Sequence, residues 1–127
     1  MGEPVPIVTT FQEALCWSME IDGALGCALV DTQTGMCLGE RGIQSDLTNS
    51  ARKYAELLRG ELRARRNRGE QGPVEDLVLP GDGRQHLLRV VSGWSGAMFL
   101  YILLDSAADI EHARRRTAEI ARGMVGN

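Results

Sequence analysis

The stretch that decides the fold is Ala97-Met98-Phe99-Leu100-Tyr101-Ile102-Leu103-Leu104. These consecutive apolar residues have the length of a β-strand and are far fewer than the roughly 20 that a membrane-spanning helix needs. A strand without polar positions has no face to turn towards water, so both of its faces must be covered. We therefore expect the central strand of a sheet, with helices packed above and below it.

A first hairpin is predicted well upstream of this strand. Apolar runs at 24–30 and 36–38 flank the turn-rich segment Asp31-Thr32-Gln33-Thr34-Gly35. A turn centred on Gln33 would place Cys37 opposite Leu29 and diagonal to Cys27. The two cysteines would then lie on the same side of the sheet.

A second hairpin is predicted directly before the central strand. Its two runs, 74–79 and 84–92, flank the turn Pro80-Gly81-Asp82-Gly83. If 74–79 lies at the edge of the sheet, its backbone groups have no partner within the chain, which favours pairing with another strand.

Apolar spacing predicts three helices. Thr10 and Glu13 form a Thr-x-x-Glu capping box, which predicts the first helix over about Phe11–Glu20. Asp46 is the candidate cap of a long second helix, whose apolar stripe is Leu47, Ala51, Tyr54, Ala55, Leu58 and Leu62. A third helix over about 107–125 has one apolar face, formed by Ile110, Ala113, Thr117, Ile120, Ala121 and Met124.

The order helix, two strands, helix, three strands, helix predicts one α/β domain of the α+β kind. Its five-stranded, mostly antiparallel sheet would lie between helices. A length of 127 residues suits a single domain over 1–127, with residues 1–8 as a flexible N-terminal segment. The beginning of the chain has no basic segment leading into an apolar one, and three cysteines form an odd set. We expect a cytoplasmic protein with free thiols and no membrane insertion.

Charge is concentrated on one side of the second helix. Residues 47–69 carry seven basic side chains against two acidic ones, in a chain whose net charge is −3. At about 100° per residue, four arginines fall beside the apolar stripe, while Gly60 lies opposite it. Such a cluster indicates either a docking surface for a partner or an ordinary solvated helix face. The four arginines are Arg52, Arg59, Arg63 and Arg66.

No catalytic constellation is visible. His86 and His112 have no neighbouring nucleophile or carboxylate pattern, and Gly81-Asp82-Gly83 is too short for a phosphate-binding loop. Cys27 and Cys37 are most simply small buried side chains. We expect no enzyme, no cofactor and no metal site.

Several segments, taken together, resemble the Roadblock (dynein light chain) family, which shares its layout with profilin-like and longin domains. The first is Ile21-Asp22-Gly23-Ala24-Leu25-Gly26-Cys27-Ala28-Leu29-Val30-Asp31 followed by Gly35. The others are His86-Leu87-Leu88-Arg89-Val90, Phe99-Leu100-Tyr101-Ile102-Leu103-Leu104-Asp105 and Ala113-Arg114, which are similar to bacterial members. The resemblance covers nearly the whole chain. The usual Asn-Leu at the start of the last helix is replaced by Asp109-Ile110.

The resemblance implies a homodimer in which the second helices pack together and the third strands join edge to edge. It places Leu57 and Gly60 in the helix contact and Leu77, Val78 and Leu79 in the strand contact. It also implies a non-enzymatic scaffold or regulator that binds a small Ras-like GTPase or a sensor-kinase-type protein. The arginines 52, 59, 63 and 66 are the candidates for that docking.

Two other functions remain open from the residues alone. A profilin-like or PAS-like module would bind a small molecule in a core cavity. Nucleic-acid binding would use the clustered arginines, but the acidic net charge and the lack of interleaved aromatic residues oppose it. Trp17 and Trp94 are expected either to pack over a core edge or to anchor a partner.

Overall fold

The computed structural model describes residues 8–42, 47–72, 74–91 and 97–124. The elements are α1 (Phe11–Met19), β1 (Ala24–Asp31), β2 (Cys37–Gly42), α2 (Leu47–Asn67), β3 (Asp76–Gly81), β4 (Arg84–Val91), β5 (Met98–Asp105) and α3 (Ile110–Gly123). The five strands form one antiparallel sheet. The expected fold class and element order are confirmed.

Strand β5 lies in the middle of the sheet. The strand order is β2-β1-β5-β4-β3, so β5 pairs with β1 on one side and β4 on the other. Residues 98–104 are all buried. The central strand predicted from the apolar run is therefore confirmed, and β2 and β3 become the two edges.

The two faces of the sheet carry separate cores because the side chains of β5 alternate between them. Leu100, Ile102 and Leu104 pack under α1 and α3. Phe99 and Tyr101 pack under α2, together with buried side chains of that helix. The sheet is thus the middle layer of three, with two helices on one face and a single helix on the other.

The register predicted for the first hairpin was wrong. Cys37 pairs with Val30, and Leu29 pairs with Gly39, so Leu38 is an extra residue in β2. This bulge breaks the alternation on which the expected register depended. Cys37 consequently packs against the core under α2, whereas Cys27 belongs to the core on the opposite face.

The first residues of β3 and α3 differ from those expected. Strand β3 begins at Asp76, where its ladder with β4 starts. Val74 is buried but lies outside the ladder, and the Glu75 carbonyl oxygen accepts a hydrogen bond from the Val90 amide. Helix α3 begins at Ile110, where the Asp109 carboxylate caps it by accepting from the His112 amide at 3.1 Å. The capping box of α1 is present as predicted.

Two expectations concern residues at the limits of the described chain. Val8, the last residue of the expected flexible segment, is buried in the core beside α1, while residues 1–7 lie outside the described residues. The proposed cap Asp46 also lies outside them. No helix within the described ranges is long and apolar enough to cross a membrane.

A buried ionic cluster ties the start of β3 to β4 and α3. The Asp76 carboxylate accepts hydrogen bonds from Arg89 at 3.0 Å and from Arg114 at 2.8 Å. The Asp76 side chain is only 8% exposed and the Arg89 side chain 10%. Arg89 also donates to the Arg114 carbonyl oxygen. The cluster therefore holds the edge strand to the helix layer.

Replacing the central acid should be costly for the fold. Asp76→Ala leaves a buried guanidinium without its counter-charge, and we expect the free energy of unfolding to fall by about 3 kcal/mol. The double variant D76A/R89M removes the orphaned charge and should recover most of that loss. Urea unfolding of both variants measures the difference. Equal stabilities for the single and double variants would contradict this account.

Candidate functional site

Helix α2 packs on one face of the sheet with a single apolar stripe. Leu47, Ala51, Tyr54, Ala55 and Leu58 are buried, and Leu62 is partly buried. The stripe predicted from the sequence is confirmed. Since the stripe occupies one side of the helix, two flanks and an outer ridge remain for contact with other molecules.

Arg59 holds the basic flank of α2 to the first hairpin. Its Nη1 atom donates to the carbonyl oxygens of Thr32 and Gln33, at 2.6 and 2.9 Å. Arg52 lies over Gly35 in the same turn, where a Cβ would come within 3.3 Å of the Arg52 Cγ atom. Gly35 has a φ of +75°, a left-handed conformation that favours glycine at this position. The turn and the helix flank form one surface.

The turn itself is held by a network of short-range hydrogen bonds. The Asp31 carboxylate accepts from the amides of Gln33 and Thr34, at 2.9 and 3.0 Å. The Gly35 amide donates to the Asp31 carbonyl oxygen, and the Met36 amide donates to the Thr34 hydroxyl oxygen. The amide donors lower the pKa of the Asp31 carboxyl. The surface next to Arg59 is therefore well ordered.

The other predicted docking arginines are placed differently. Arg63 and Arg66 are exposed and form no ion pair within the described residues. Arg65 and Arg68, by contrast, pair with Glu70, and Arg68 also pairs with Glu61. The basic flank thus has one arginine committed to the turn and two with their charges available.

The opposite flank of α2 carries an exposed apolar residue. Tyr54, at the side of the stripe away from Arg59, packs against His86 and Tyr101 in β4 and β5. Leu57 lies about 60° further round the helix in the same direction and is 47% exposed. Gly60 faces open space, since a Cβ built there meets nothing within 4 Å. Among the residues that the structure describes, Leu57 keeps about half of its surface exposed on this flank.

Strand β3 presents an apolar edge. It pairs with β4 and with no other strand of the described residues. Leu77 and Leu79 are partly buried under the α2 side, while Val78 points to the other face and is 37% exposed. Of the five residues predicted for a dimer contact, four lie on the exposed flank of α2 or on this edge, and Gly60 lies on the outer ridge of α2.

A buried polar cluster links α2 to the sheet. The Tyr101 hydroxyl is 2.8 Å from His86 Nδ1, and the Gly81 carbonyl oxygen is 3.2 Å from His86 Nε2. An Nε2–H tautomer satisfies both contacts, with Tyr101 donating and Gly81 accepting. Both ring nitrogens of His86 are therefore occupied within the fold. Burial also raises the pKa of the Tyr101 hydroxyl.

The remaining predicted candidates are structural or lie elsewhere. His112 is partly buried on α3, and Gly81-Asp82-Gly83 forms a hairpin turn in which Asp82 and Gly83 both have positive φ. Trp17 packs against the core at its edge, and Trp94 lies outside the described residues. No group of three potential metal-ligating side chains occurs among the residues described.

Sequence reasoning missed two features of this region. The first is the pair of hydrogen bonds from Arg59 to the hairpin turn. They form because the turn lies beside α2, and helical spacing alone does not predict that position. Met36 is the most exposed large apolar side chain described, at 62%, although it was placed inside the first hairpin. Its position directly after Gly35, just before the ladder begins, was the available signal.

No protein-family model and no curated protein matches this chain. Solved structures do match it. A Roadblock/LC7 domain from Streptomyces avermitilis is 18% identical, with a TM-score of 0.71 over 84% of this chain and 87% of that one. Myxococcus xanthus MglB is 15% identical, with a TM-score of 0.74 over 91% and 94%. MglC from Myxococcus xanthus is 21% identical, with a TM-score of 0.58 over 90% and 95%. The expected Roadblock-type fold is thereby confirmed.

The ordered turn beside Arg59 should stabilise the protein in a pH-dependent way. Because the pKa of Asp31 is lowered from 3.8 in the folded state, its contribution is present above that value and is lost as the pH falls through the folded-state pKa. Asp31→Ala should therefore lower the melting temperature at pH 7 more than at about pH 2.5. Thermal unfolding at the two pH values, with the exposed Asp22→Ala as control, measures the effect. A deficit that is equal at both pH values would contradict it.

Proposed function

We propose that this domain, which has the Roadblock/LC7 fold, is a non-enzymatic homodimeric scaffold or regulator. Its partner is a small Ras-like GTPase or an associated sensor protein, with or without a change in the partner's GTP hydrolysis. The observation that carries the proposal is that an open apolar strand edge and an uncovered apolar helix flank occur together, apart from the basic flank. Self-association and partner binding then use different surfaces.

The dimer is supported by what the single chain leaves exposed. An edge strand with unpaired backbone groups and apolar side chains favours association with another strand. Joining β3 to the β3 of a second copy continues the sheet and brings each Leu57 flank towards the partner molecule. The open space at Gly60 would allow the two helices to approach closely. Leu57, Gly60, Leu77, Val78 and Leu79 form this proposed interface.

Partner docking is supported by the basic flank. Arg63 and Arg66 offer planar guanidinium groups whose paired N–H donors match a carboxylate. Arg59 and Arg52 extend the positive surface to the turn of the first hairpin, where Arg59 also keeps that turn in place. An acidic patch on a GTPase or sensor protein is complementary to this surface. The acidic net charge of the chain disfavours nucleic acid as the partner.

The dimer is tested by placing a carboxylate in the proposed contact. Leu57→Glu should raise the dissociation constant of the dimer about thirtyfold, since burying an unpaired carboxylate costs at least about 2 kcal/mol. Ala107→Glu adds the same group at an exposed turn and should leave the dimer unchanged. Sedimentation equilibrium measures both, and a wild-type chain that is monomeric in solution overturns the proposed homodimer.

Val78→Pro tests the strand contact in the same assay. Because proline disturbs a β-ladder, this variant should also weaken the dimer.

Docking is tested by charge reversal on α2. The double variant R63E/R66E should bind a small Ras-like GTPase from the same organism at least tenfold more weakly, because close charge pairs at an interface are worth roughly 1.5 kcal/mol or more. The matched variant R115E/R122E makes the same charge change on exposed positions of α3 and should bind normally. Calorimetric titration with the GTP-analogue-loaded partner compares them. Equal weakening by both variants would show a general charge effect and no docking site.

A further inference from the structure

Met36, at the end of the first hairpin turn, is an exposed side chain on a well-held backbone. Its amide donates to the Thr34 hydroxyl oxygen at 3.1 Å, and its carbonyl oxygen accepts from the Asp31 amide at 2.9 Å. The residue is nevertheless 62% exposed. An exposed apolar side chain is by itself ordinary. Here, however, the backbone is already fixed, so only the side chain has to be ordered when another molecule binds.

The proposed dimer leaves Met36 uncovered. Among the residues that the structure describes, the exposed large apolar side chains are those of Met36, Leu57 and Val78. Leu57 and Val78 belong to the proposed dimer contact. Met36 lies on the other side of α2, where Arg52 is positioned over Gly35, the residue that precedes Met36. The third exposed apolar side chain therefore adjoins the basic flank, which is the proposed docking surface.

A shallow depression of about 470 Å³ is lined by Met36, by Arg52 from α2 and by Glu40 from β2. Glu40 pairs with Ala28, whose side chain belongs to the core under α2, so the Glu40 side chain faces the same side of the sheet. Neither Arg52 nor Glu40 forms an ion pair with another described residue. The depression therefore has an apolar side chain and one uncompensated charge of each sign.

We propose that the protein which docks on the basic flank of α2 also places an apolar side chain in this depression, against Met36. The inference rests on the proposed function, because it describes the partner's surface at that same site. To match both charges, the partner carries an acidic group facing Arg52 and a basic or neutral donor group facing Glu40. Further acidic groups face Arg63 and Arg66. A partner turned end for end would bring like charges together, so this pattern fixes the orientation of docking.

The lining of the depression favours a folded protein over other occupants. The phosphates of a nucleic acid would be attracted by Arg52 but repelled by Glu40. A small-molecule site usually encloses most of its ligand, whereas this depression is shallow. Methionine is an adaptable apolar side chain that suits contact with the side chains of another protein. An apolar contact bordered by charges is also the usual arrangement at the centre of a protein interface.

Met36→Gln tests the apolar contact with a polar side chain of similar length. Because burying the exposed part of a methionine stabilises a complex, this variant should bind a small Ras-like GTPase from the same organism about tenfold more weakly. Calorimetric titration with the GTP-analogue-loaded GTPase measures the affinity. The matched variant Met36→Leu keeps an apolar side chain and should retain most of the affinity. Since Met36 is exposed, Met36→Gln should leave the melting temperature and the oligomeric state unchanged.

The outcomes separate this inference from the proposed function. If Met36→Gln binds the GTPase like the wild type while R63E/R66E binds it weakly, the contact at Met36 is overturned and the docking on α2 stands. A GTPase that does not bind the wild-type protein overturns both. A lower melting temperature of Met36→Gln would show that Met36 supports the fold, and an altered sedimentation mass would show that it contacts a second copy. Either result overturns the inference.

Glu40→Arg tests the polarity assigned to the partner's surface. Because a basic or donor group of the partner faces Glu40, this variant should bind the same GTPase at least about fivefold more weakly. Asp22→Arg makes the same charge change at an exposed turn after α1 and should bind normally. Unchanged or tighter binding by Glu40→Arg overturns the assigned polarity, as does equal weakening by both variants.

Discussion

The burial of β5 on both faces is the constraint on which the rest of the structure depends. A strand without polar positions needs cover above and below, so α2 lies on one face and α1 with α3 on the other. Its two ladder sides are filled by β1 and β4. The hairpin partners of those strands are then forced outwards, which makes β2 and β3 the edges. Because β1, β5 and β4 occupy the centre of the sheet, the edges β2 and β3 are left for contact with other molecules.

Much of this arrangement could be predicted because it depends on local patterns. The capping box at Thr10, the Asp-Gly turn after Gly81 and the apolar stripe of α2 each specify structure over a few residues. The register of the first hairpin could not be predicted in the same way. A bulge at Leu38 changes which side chains share a face, and nothing in the alternation of residues 36–38 indicates it. The expected register was wrong by one residue, so it placed Cys37 on the same face as Cys27, whereas Cys37 packs on the α2 face.

The sequence predicted which flank of α2 carries the candidate site, but it did not predict the contacts that the arginines make. Helical geometry placed Arg52, Arg59, Arg63 and Arg66 on one flank of α2, and that flank is where they lie. Which arginine bonds to the turn at Thr32 depends on how close the helix and the turn lie. That distance is set by the tertiary structure and cannot be taken from helical spacing. The same limit applies to Asp76, whose partners Arg89 and Arg114 are far away in sequence and meet it only through the sheet and α3.

The engagement of Arg59 has a consequence for binding on the basic flank. The guanidinium of Arg59 is bonded to two neutral carbonyl oxygens, which do not cancel its positive charge. Its rotamer freedom has already been lost in the free protein, so a bound partner meets an ordered cation and an ordered turn. Arg63 and Arg66, which are exposed, must still be ordered when a partner binds, at a cost of about 0.5–1.5 kcal/mol each. The flank therefore combines a fixed part, which defines the geometry of docking, with a mobile part, which can adjust to the acidic groups of the partner.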